Sequence, residues 1–222
     1  MHRYRAMNAL LTLVAILGWF ALSLQFYLIL KNRVTSIPET IIRYFGFFTI
    51  LTNILVAMCA SFLLFKSNSS IGKFFIRDTT ATAITVYITI VGIVYNFILR
   101  SLWSPQGPDR VADELLHTVI PLLFILTWFV CIPKAAVPWK NILGWLLFPL
   151  LYLICILARG SFAGYYPYPF LDVTKLGYNN VFINCLGMLF AFPLVSILFV
   201  LIDRFIKKVP AIEGPSVKSS SH

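Results

Sequence analysis

The chain has 222 residues, of which 59% are hydrophobic and only 12% are charged, and its formal net charge is +10. A soluble domain usually carries about 25% charged residues, so this chain has too little polar surface to cover a globule in water. The composition excludes a soluble enzyme or binding domain and favours one compact bundle inside a membrane.

Six apolar runs each have about the 20 residues that a helix needs to cross the hydrocarbon core of a bilayer. In chain order, the runs cover approximately residues 7–30, 40–65, 79–103, 113–132, 141–158 and 180–206. We therefore predict an all-α integral membrane protein. A six-helix transmembrane bundle would cover residues 1–206, and a disordered polar tail would cover residues 207–222.

Basic residues divide unevenly between the two sides of this bundle. With six spans, both termini share one side, which collects 11 of the 18 Lys and Arg residues and leaves 7 for the other. The eleven are Arg3, Arg5, Lys66, Lys73, Arg77, Lys134, Lys140, Arg204, Lys207, Lys208 and Lys218. Cytoplasmic loops carry such an excess, so we predict cytoplasmic termini. Since the basic residues flank apolar runs, we expect no nucleic-acid partner.

Few residues of the chain could hold a metal ion. The four cysteines lie within or at the ends of apolar runs, without a CxxC spacing. Of the three histidines, two are terminal and only His117 is internal. We therefore predict buried thiols that behave as small hydrophobic groups, no metal site and no cofactor.

The second predicted helix carries Thr49, Thr52 and Asn53, which share one helix face because they are spaced i, i+3 and i+4. Two interpretations remain open. Small polar side chains can stabilise helix packing in lipid by bonding to a preceding turn or a neighbouring helix. Alternatively, a threonine on this face could act in catalysis.

The third predicted helix has small polar residues at steps of three or four, and Arg100 continues this line near its end. Arg100 could extend toward the aqueous phase, or it could meet a carboxylate of the fourth helix or of a substrate.

The fourth predicted helix begins with Asp113 and Glu114, which precede His117 by four and three residues. Ionisable side chains at membrane depth are costly and are candidates for function. Either carboxylate could bond the imidazole and fix its tautomer. The other interpretation is an interfacial histidine that contacts lipid headgroups.

An unusual aromatic and proline-rich segment precedes the sixth predicted helix. Interfacial aromatic residues are common, so the segment could be part of an aromatic belt. Two prolines fix φ here, however, which favours a rigid lid over the mouth of the bundle. The predicted lid comprises Tyr166, Pro167, Tyr168, Pro169 and Phe170. By topology it lies at the same end of the bundle as Thr49 and His117, as a site at the lipid–water boundary requires.

Three of these stretches resemble the androgen-induced transmembrane proteins and their bacterial six-helix relatives. The similar stretches are Phe48-Thr49-Ile50-Leu51, the Leu-His-Thr-Val-Ile-Pro of residues 116–121, and the Tyr-Pro-Phe-Leu-Asp of residues 168–172. The resemblance implies a hydrolase of fatty acid esters of hydroxy fatty acids, with Thr49 and His117 as catalytic residues. Thr52 remains a rival to Thr49. We expect a membrane lipid or lipid ester as partner, and the bacterial cytoplasmic membrane as location.

In the mechanism that these residues suggest, the Thr49 hydroxyl attacks an ester carbonyl and His117 acts as general base and then general acid. Asp113 or Glu114 would orient His117, and Thr52 or Asn53 would donate to the oxyanion. We predict a hydrogen bond between Thr49 and His117. The alternative function is a non-enzymatic scaffold or lipid-binding bundle, and a small transporter is a third possibility.

Overall fold

The structure, a computed structural model, describes residues 2–66, 68–134 and 137–206. Every regular element in these ranges is helical, and six helical spans are long and apolar enough to cross a membrane. The prediction of an all-α, six-span membrane protein is therefore confirmed. The predicted tail over residues 207–222 lies outside the described residues.

The helices have the following bounds. They are α1 (His2–Lys31), α2 (Ile37–Phe45), α3 (Phe48–Phe65), α4 (Ser70–Phe75), α5 (Asp78–Val94), α6 (Gly107–Glu114), α7 (Ile120–Cys131), α8 (Asn141–Ala163) and α9 (Val173–Phe205). π-Helical segments follow α5 (Tyr95–Leu99) and join α6 to α7 (Leu115–Val119), and 3₁₀ turns cover Arg100–Leu102 and Pro169–Leu171. The six candidate membrane spans are α1, α3, α5 with the π and 3₁₀ segments that follow it, α6 joined to α7, α8 and α9.

Four spans form a closed arrangement in which α1 and α5 each pack against both α3 and α7. The α9 span packs against α5, and α8 packs against α9 at the periphery. At the α1–α3 contact, a Cβ on Gly18 would lie 3.0 Å from the Cβ of Ala57. Small residues allow this approach, which is how helices gain packing energy in lipid, where the hydrophobic effect between helices is absent.

The prediction of one continuous second helix over residues 40–65 is wrong. The chain breaks between α2 and α3, where Phe47 is extended with φ −85° and ψ 125°. The Gly46 N–H still bonds to the Ile42 carbonyl at 2.9 Å, which ends α2. The Gly46 carbonyl accepts a hydrogen bond from the Tyr152 hydroxyl of α8 at 2.8 Å instead of an N–H of its own helix. A tertiary contact therefore stabilises the break.

The predicted start of the fourth span is wrong. This span begins at Gly107, not near residue 113, because Pro108 occupies the first helical turn, where its missing N–H costs little. In α9 a short helical segment from Val173 comes first, because the Asp172 carboxylate accepts a hydrogen bond from the Thr174 N–H at 3.1 Å and caps it. Gly177, with φ 72° and ψ 163°, is not helical, so the long part of α9 starts after it, close to the predicted residue 180.

Contacts between chain segments define the two ends of the bundle. Lys66 lies 5.2 Å above the Tyr4 ring, and the Cys131 thiol is 4.0 Å from the Met7 carbonyl, so α1 begins where α3 and α7 end. We name this the terminal end. The opposite, distal end carries Glu39 of α2, which bonds Arg159 at the end of α8 at 2.6 Å.

A buried lysine occupies the terminal end. The Lys134 ammonium donates to the carbonyls of Trp128 at 2.5 Å and Ile132 at 2.7 Å, and lies 3.8 Å from the Trp128 ring centroid. Burial lowers the pKa of Lys134 to about 8, although the carboxylates of Asp203 and Asp78 oppose this shift. Asp203 also accepts a hydrogen bond from the Val137 N–H at 2.7 Å, so α9 is tied to the α7–α8 connection.

Candidate active site

Two cavities meet at the distal end of the bundle. The inner one is mainly apolar, has a volume of about 70 Å³ and extends between α5, α8 and α9. The outer one, of about 390 Å³, includes Asp109, Asp113 and Gln25 and forms the mouth. Residues that line both cavities are Thr49, Tyr95, Leu99, His117 and Tyr168. The predicted pair, Thr49 and His117, therefore lies at the junction of an apolar and a polar compartment.

Thr49 occupies the first turn of α3, and its hydroxyl lacks a bond to the preceding turn that several other threonines make. The hydroxyls of Thr82, Thr85, Thr89 and Thr127 each donate to the carbonyl four residues earlier, at 2.7–2.8 Å. The break before α3 separates Thr49 from such a carbonyl. Its hydroxyl instead lies 3.4 Å from the Tyr168 hydroxyl, and its backbone N–H points to the same oxygen at 3.3 Å.

The other two polar residues on this face of α3 have structural positions. Thr52 is fully buried, and its hydroxyl has no hydrogen-bond partner among the described residues. It lines neither of the two distal cavities. The Asn53 amide donates to the carbonyls of Thr49 at 2.8 Å and Leu116 at 3.1 Å. Because both N–H groups are in use, Asn53 ties α3 to the fourth span. The oxyanion role of Thr52 or Asn53 stays a prediction, to which these positions lend no support.

His117 lies in the π-helical segment Leu115–Val119, for which the sequence supplies a cause. Pro121, four residues later, has no N–H to give to the His117 carbonyl. The Asn96 amide takes that place, donating to the His117 carbonyl at 3.2 Å and to the Gly92 carbonyl at 2.9 Å. A Cβ on Gly92 would lie 3.3 Å from Pro121, so glycine allows the two spans to approach here.

Asp113 fixes the orientation of the imidazole. The His117 Nδ1 lies 2.9 Å from the Asp113 carbonyl oxygen and 3.2 Å from its carboxylate. A carbonyl oxygen can only accept, so Nδ1 carries the hydrogen, and the Nε2 of the neutral ring keeps a lone pair that can accept a proton. The Tyr95 ring stacks on the imidazole, with 4.0 Å between the centroids, and its hydroxyl donates to the Asp113 carboxylate.

Arg100 and Glu114 form an ion pair beside the site. Arg100 also donates to the Asn96 side-chain oxygen at 2.6 Å, so it supports the residue that bridges the two π-helical segments. Neither Arg100 nor Glu114 lines the two cavities. Of the two carboxylates predicted as partners for His117, Asp113 therefore has that position, and Glu114 pairs with Arg100.

Most of the predicted lid lies at the mouth. Pro167, Tyr168 and Pro169 line the outer cavity, and Phe170, whose ring stacks on Tyr168 at 5.2 Å, lines the inner one. Tyr166 lines neither and packs against Gly160, where a side chain would clash with its ring. Burial raises the pKa of the Tyr168 hydroxyl, which keeps it protonated and able to donate.

Thr49 and His117 line the same cavities, but the predicted hydrogen bond between them is absent. Thr49 Oγ1 has the Tyr168 hydroxyl as its partner. In apo enzymes the bond between nucleophile and base is often long and forms fully only with substrate. The arrangement can therefore supply a hydroxyl held by another hydroxyl, an imidazole whose Nε2 has no hydrogen-bond partner among the described residues, and two N–H or O–H donors.

Sequence reasoning missed Tyr95 and Tyr152. Tyr95 contacts both His117 and Asp113, and Tyr152 lines the inner cavity and bonds the Gly46 carbonyl. Each is a single tyrosine within an apolar helix, which is typical of an interfacial or core residue, so no local pattern could have marked it.

No protein-family model matches the chain, and no curated protein or solved structure matches it either. The described residues contain no group of three or more His, Cys, Asp or Glu that could hold a metal ion. The chemistry of the site must therefore be interpreted from its own side chains.

Proposed function

We propose that the chain is an intramembrane hydrolase of lipid esters, such as fatty acid esters of hydroxy fatty acids, with Thr49 as nucleophile and His117 as base. The observation that supports this most is the junction of the two cavities. There the Thr49 hydroxyl, an oriented imidazole and a buried phenol line an apolar and a polar compartment together. The similarity of residues 48–51, 116–121 and 168–172 to the androgen-induced transmembrane proteins favours the same function.

In the proposed reaction, Thr49 Oγ1 attacks the ester carbonyl carbon while His117 Nε2 takes the hydroxyl proton. The carbon–oxygen bond to the leaving alcohol then breaks, and the alcohol oxygen receives that proton from His117. A water molecule next attacks the acyl-Thr49 ester, giving its proton to His117, which returns it to the Thr49 oxygen as the fatty acid leaves. Asp113 keeps the hydrogen on Nδ1 and stabilises the imidazolium.

The negative charge that develops on the carbonyl oxygen needs donors that are already in place. Two donors adjoin the Thr49 hydroxyl. One is the Thr49 backbone N–H in the first turn of α3, where N–H groups have no partner within the helix. The other is the Tyr168 hydroxyl, 3.4 Å from Thr49 Oγ1. The positive end of the α3 dipole adds to their effect. In this proposal, these groups replace Thr52 and Asn53 as oxyanion donors.

The compartments suggest how a long substrate would bind. The inner cavity, of about 70 Å³, holds only a short part of an acyl chain. The remainder would extend past Leu153 of α8 and the exposed Leu189 of α9 into the bilayer. The alcohol portion, with any polar group, would occupy the wider mouth below Pro167 and Pro169.

A covalent hydrolase probe tests the nucleophile directly. We expect a lipid-like fluorophosphonate to label the purified protein at Thr49, as located by mass spectrometry of the peptide. Labelling should be lost in Thr49→Ala and retained in Thr52→Val, which removes the rival hydroxyl but keeps the shape of the side chain. Loss in Thr52→Val alone would transfer the role to Thr52.

One observation favours a second candidate function. Because no hydrogen bond joins Thr49 to His117, the same cavities could hold a lipid without reacting with it, as in a lipid-binding scaffold. A probe that labels neither threonine, although the protein binds a non-hydrolysable ester analogue, would support this alternative.

The charge of the loops supports one orientation of the bundle. We propose that the terminal end faces the cytoplasm, because this end carries the excess of Lys and Arg. The resemblance to bacterial six-helix proteins favours a bacterial cytoplasmic membrane. Reporter fusions after Lys66 and after the C-terminus should both give the cytoplasmic signal. A fusion in the distal loop, after Gly164, is the control and should give the opposite signal.

A further inference from the structure

A third cavity opens at the terminal end of the bundle and shares no lining residue with the two distal cavities, although Tyr87 and Phe148 on its floor pack against Phe48 of the inner cavity. It is an open groove of about 670 Å³ between the beginnings of α5 and α8, with α4 on one side. This volume falls within the range of small-molecule sites, about 300–1,000 Å³. Its upper rim includes Arg77 and Lys140, and its deeper part is lined by apolar residues such as Ile84, Phe148 and Leu151.

Arg77 and Lys140 directly precede α5 and α8. Both side chains are exposed, and neither has a hydrogen bond or ion pair with the described residues. The helix starts are joined through Thr79, whose hydroxyl accepts hydrogen bonds from the Asn141 amide at 2.9 Å and from the Trp145 indole at 3.3 Å. Two unpaired cations are thus attached to helix starts whose separation is fixed.

The floor of the groove is suited to hydrocarbon. The Tyr87 hydroxyl donates to the Trp145 carbonyl at 2.6 Å, so only the apolar ring remains to line the groove. The Phe148 ring packs on it, with 5.1 Å between the centroids. Leu147 and Leu151 of α8 are about half exposed, so the groove opens sideways toward the lipid phase.

The carboxylate that follows Arg77 in the chain does not place negative charge in the groove. Asp78 is the first residue of α5 but does not line the groove. It interacts instead with Lys134 and Asp203 in the interior. The rim therefore has net positive charge directly above an apolar floor, which is the arrangement that a lipid phosphate and its acyl chain require.

We propose that this groove binds one anionic glycerophospholipid, with the phosphate between Arg77 and Lys140 and an acyl chain along Tyr87, Phe148 and Leu151. Basic pockets between membrane helices recognise anionic headgroups in this way. The site is separate from the proposed hydrolase site, and lipid binding here does not depend on Thr49 chemistry.

The first test removes the two charges. The protein is placed in nanodiscs that contain phosphatidylcholine with a small fraction of phosphatidylglycerol, and retained lipid is counted by native mass spectrometry after release. The wild type should retain one phosphatidylglycerol in preference to phosphatidylcholine. The variant Arg77→Gln/Lys140→Gln should lose this preference by about 30-fold, since each cation near a membrane surface contributes about fivefold.

The matched control is Arg3→Gln/Arg5→Gln. It removes the same charge from the same end of the bundle, from side chains that are also exposed but do not line the groove. It should keep the wild-type preference. An equal loss in both double variants would mean that overall charge attracts the lipid, and would overturn the site.

The second test fills the groove without changing any charge. A Cβ at Gly144 would meet no atom within 4 Å, so larger side chains fit on α8 and project into the groove. Gly144→Phe should abolish retention of phosphatidylglycerol, whereas Gly144→Ala should preserve it. Retention by a folded Gly144→Phe protein, or equal retention of the two lipids by the wild type, would refute the proposal. Thr49→Ala should bind the lipid as the wild type does.

Discussion

His117→Ala is expected to lower kcat for hydrolysis of a fatty acid ester of a hydroxy fatty acid by about 10²- to 10⁴-fold, the usual contribution of a general base. Thr49→Ala should leave only background hydrolysis, because no other hydroxyl in the cavities occupies the same position. The double variant should be little worse than either single one, since a nucleophile and its base act as a unit. The measurement is kcat in detergent micelles or nanodiscs.

The structure supplies good controls for this experiment. Thr49→Ala removes only a small side chain at a cavity and should leave thermal stability nearly unchanged. His117→Ala also removes the ring that stacks on Tyr95 and bonds Asp113, so the thermal stability of each variant is measured beside kcat. Thr52→Val should retain activity, because the Thr52 hydroxyl has no partner to lose within the described part of the chain. Full activity in Thr49→Ala would exclude Thr49 as nucleophile, and a folded wild type that hydrolyses no lipid ester would favour the scaffold function.

Tyr168→Phe should reduce kcat by about 10²-fold or more with little change in KM. It removes one hydroxyl, 3.3 Å from the Thr49 nitrogen and 3.4 Å from its side-chain oxygen, and keeps the ring that packs on Phe47 and Phe170. A donor that stabilises the oxyanion acts in the transition state, and losing one typically costs about 3 kcal/mol. Steady-state kinetics with a chromogenic ester would separate the two parameters.

The control for Tyr168→Phe is Tyr166→Phe, two residues earlier in the same loop. Tyr166 lines neither distal cavity, so losing its hydroxyl should leave kcat unchanged. If Tyr168→Phe instead raised KM and left kcat intact, Tyr168 would serve binding alone. The oxyanion would then depend on the Thr49 backbone N–H, which no side-chain substitution removes.

The sequence predicted some features of the site. Thr49 could be favoured over Thr52 only through the resemblance, because both share one helix face. The decisive difference is that Thr49, just after the break at Gly46 and Phe47, lines both distal cavities, whereas Thr52 lines neither. Because that break depends on a hydrogen bond from Tyr152, more than 100 residues away in the chain, no local pattern predicts it.

The sequence by itself determined the six spans, since a bilayer requires apolar runs of a certain length and admits few alternatives to helices. It also placed Thr49, His117 and the Tyr–Pro segment at one end of the bundle. Only the tertiary structure decided which polar groups are available for chemistry. Asn53 bonds two carbonyls, Glu114 pairs with Arg100, and Asp113 orients His117. Which of these hydrogen bonds and ion pairs form depends on which groups lie within about 3 Å of each other. Packing between segments that are far apart in the sequence decides those distances.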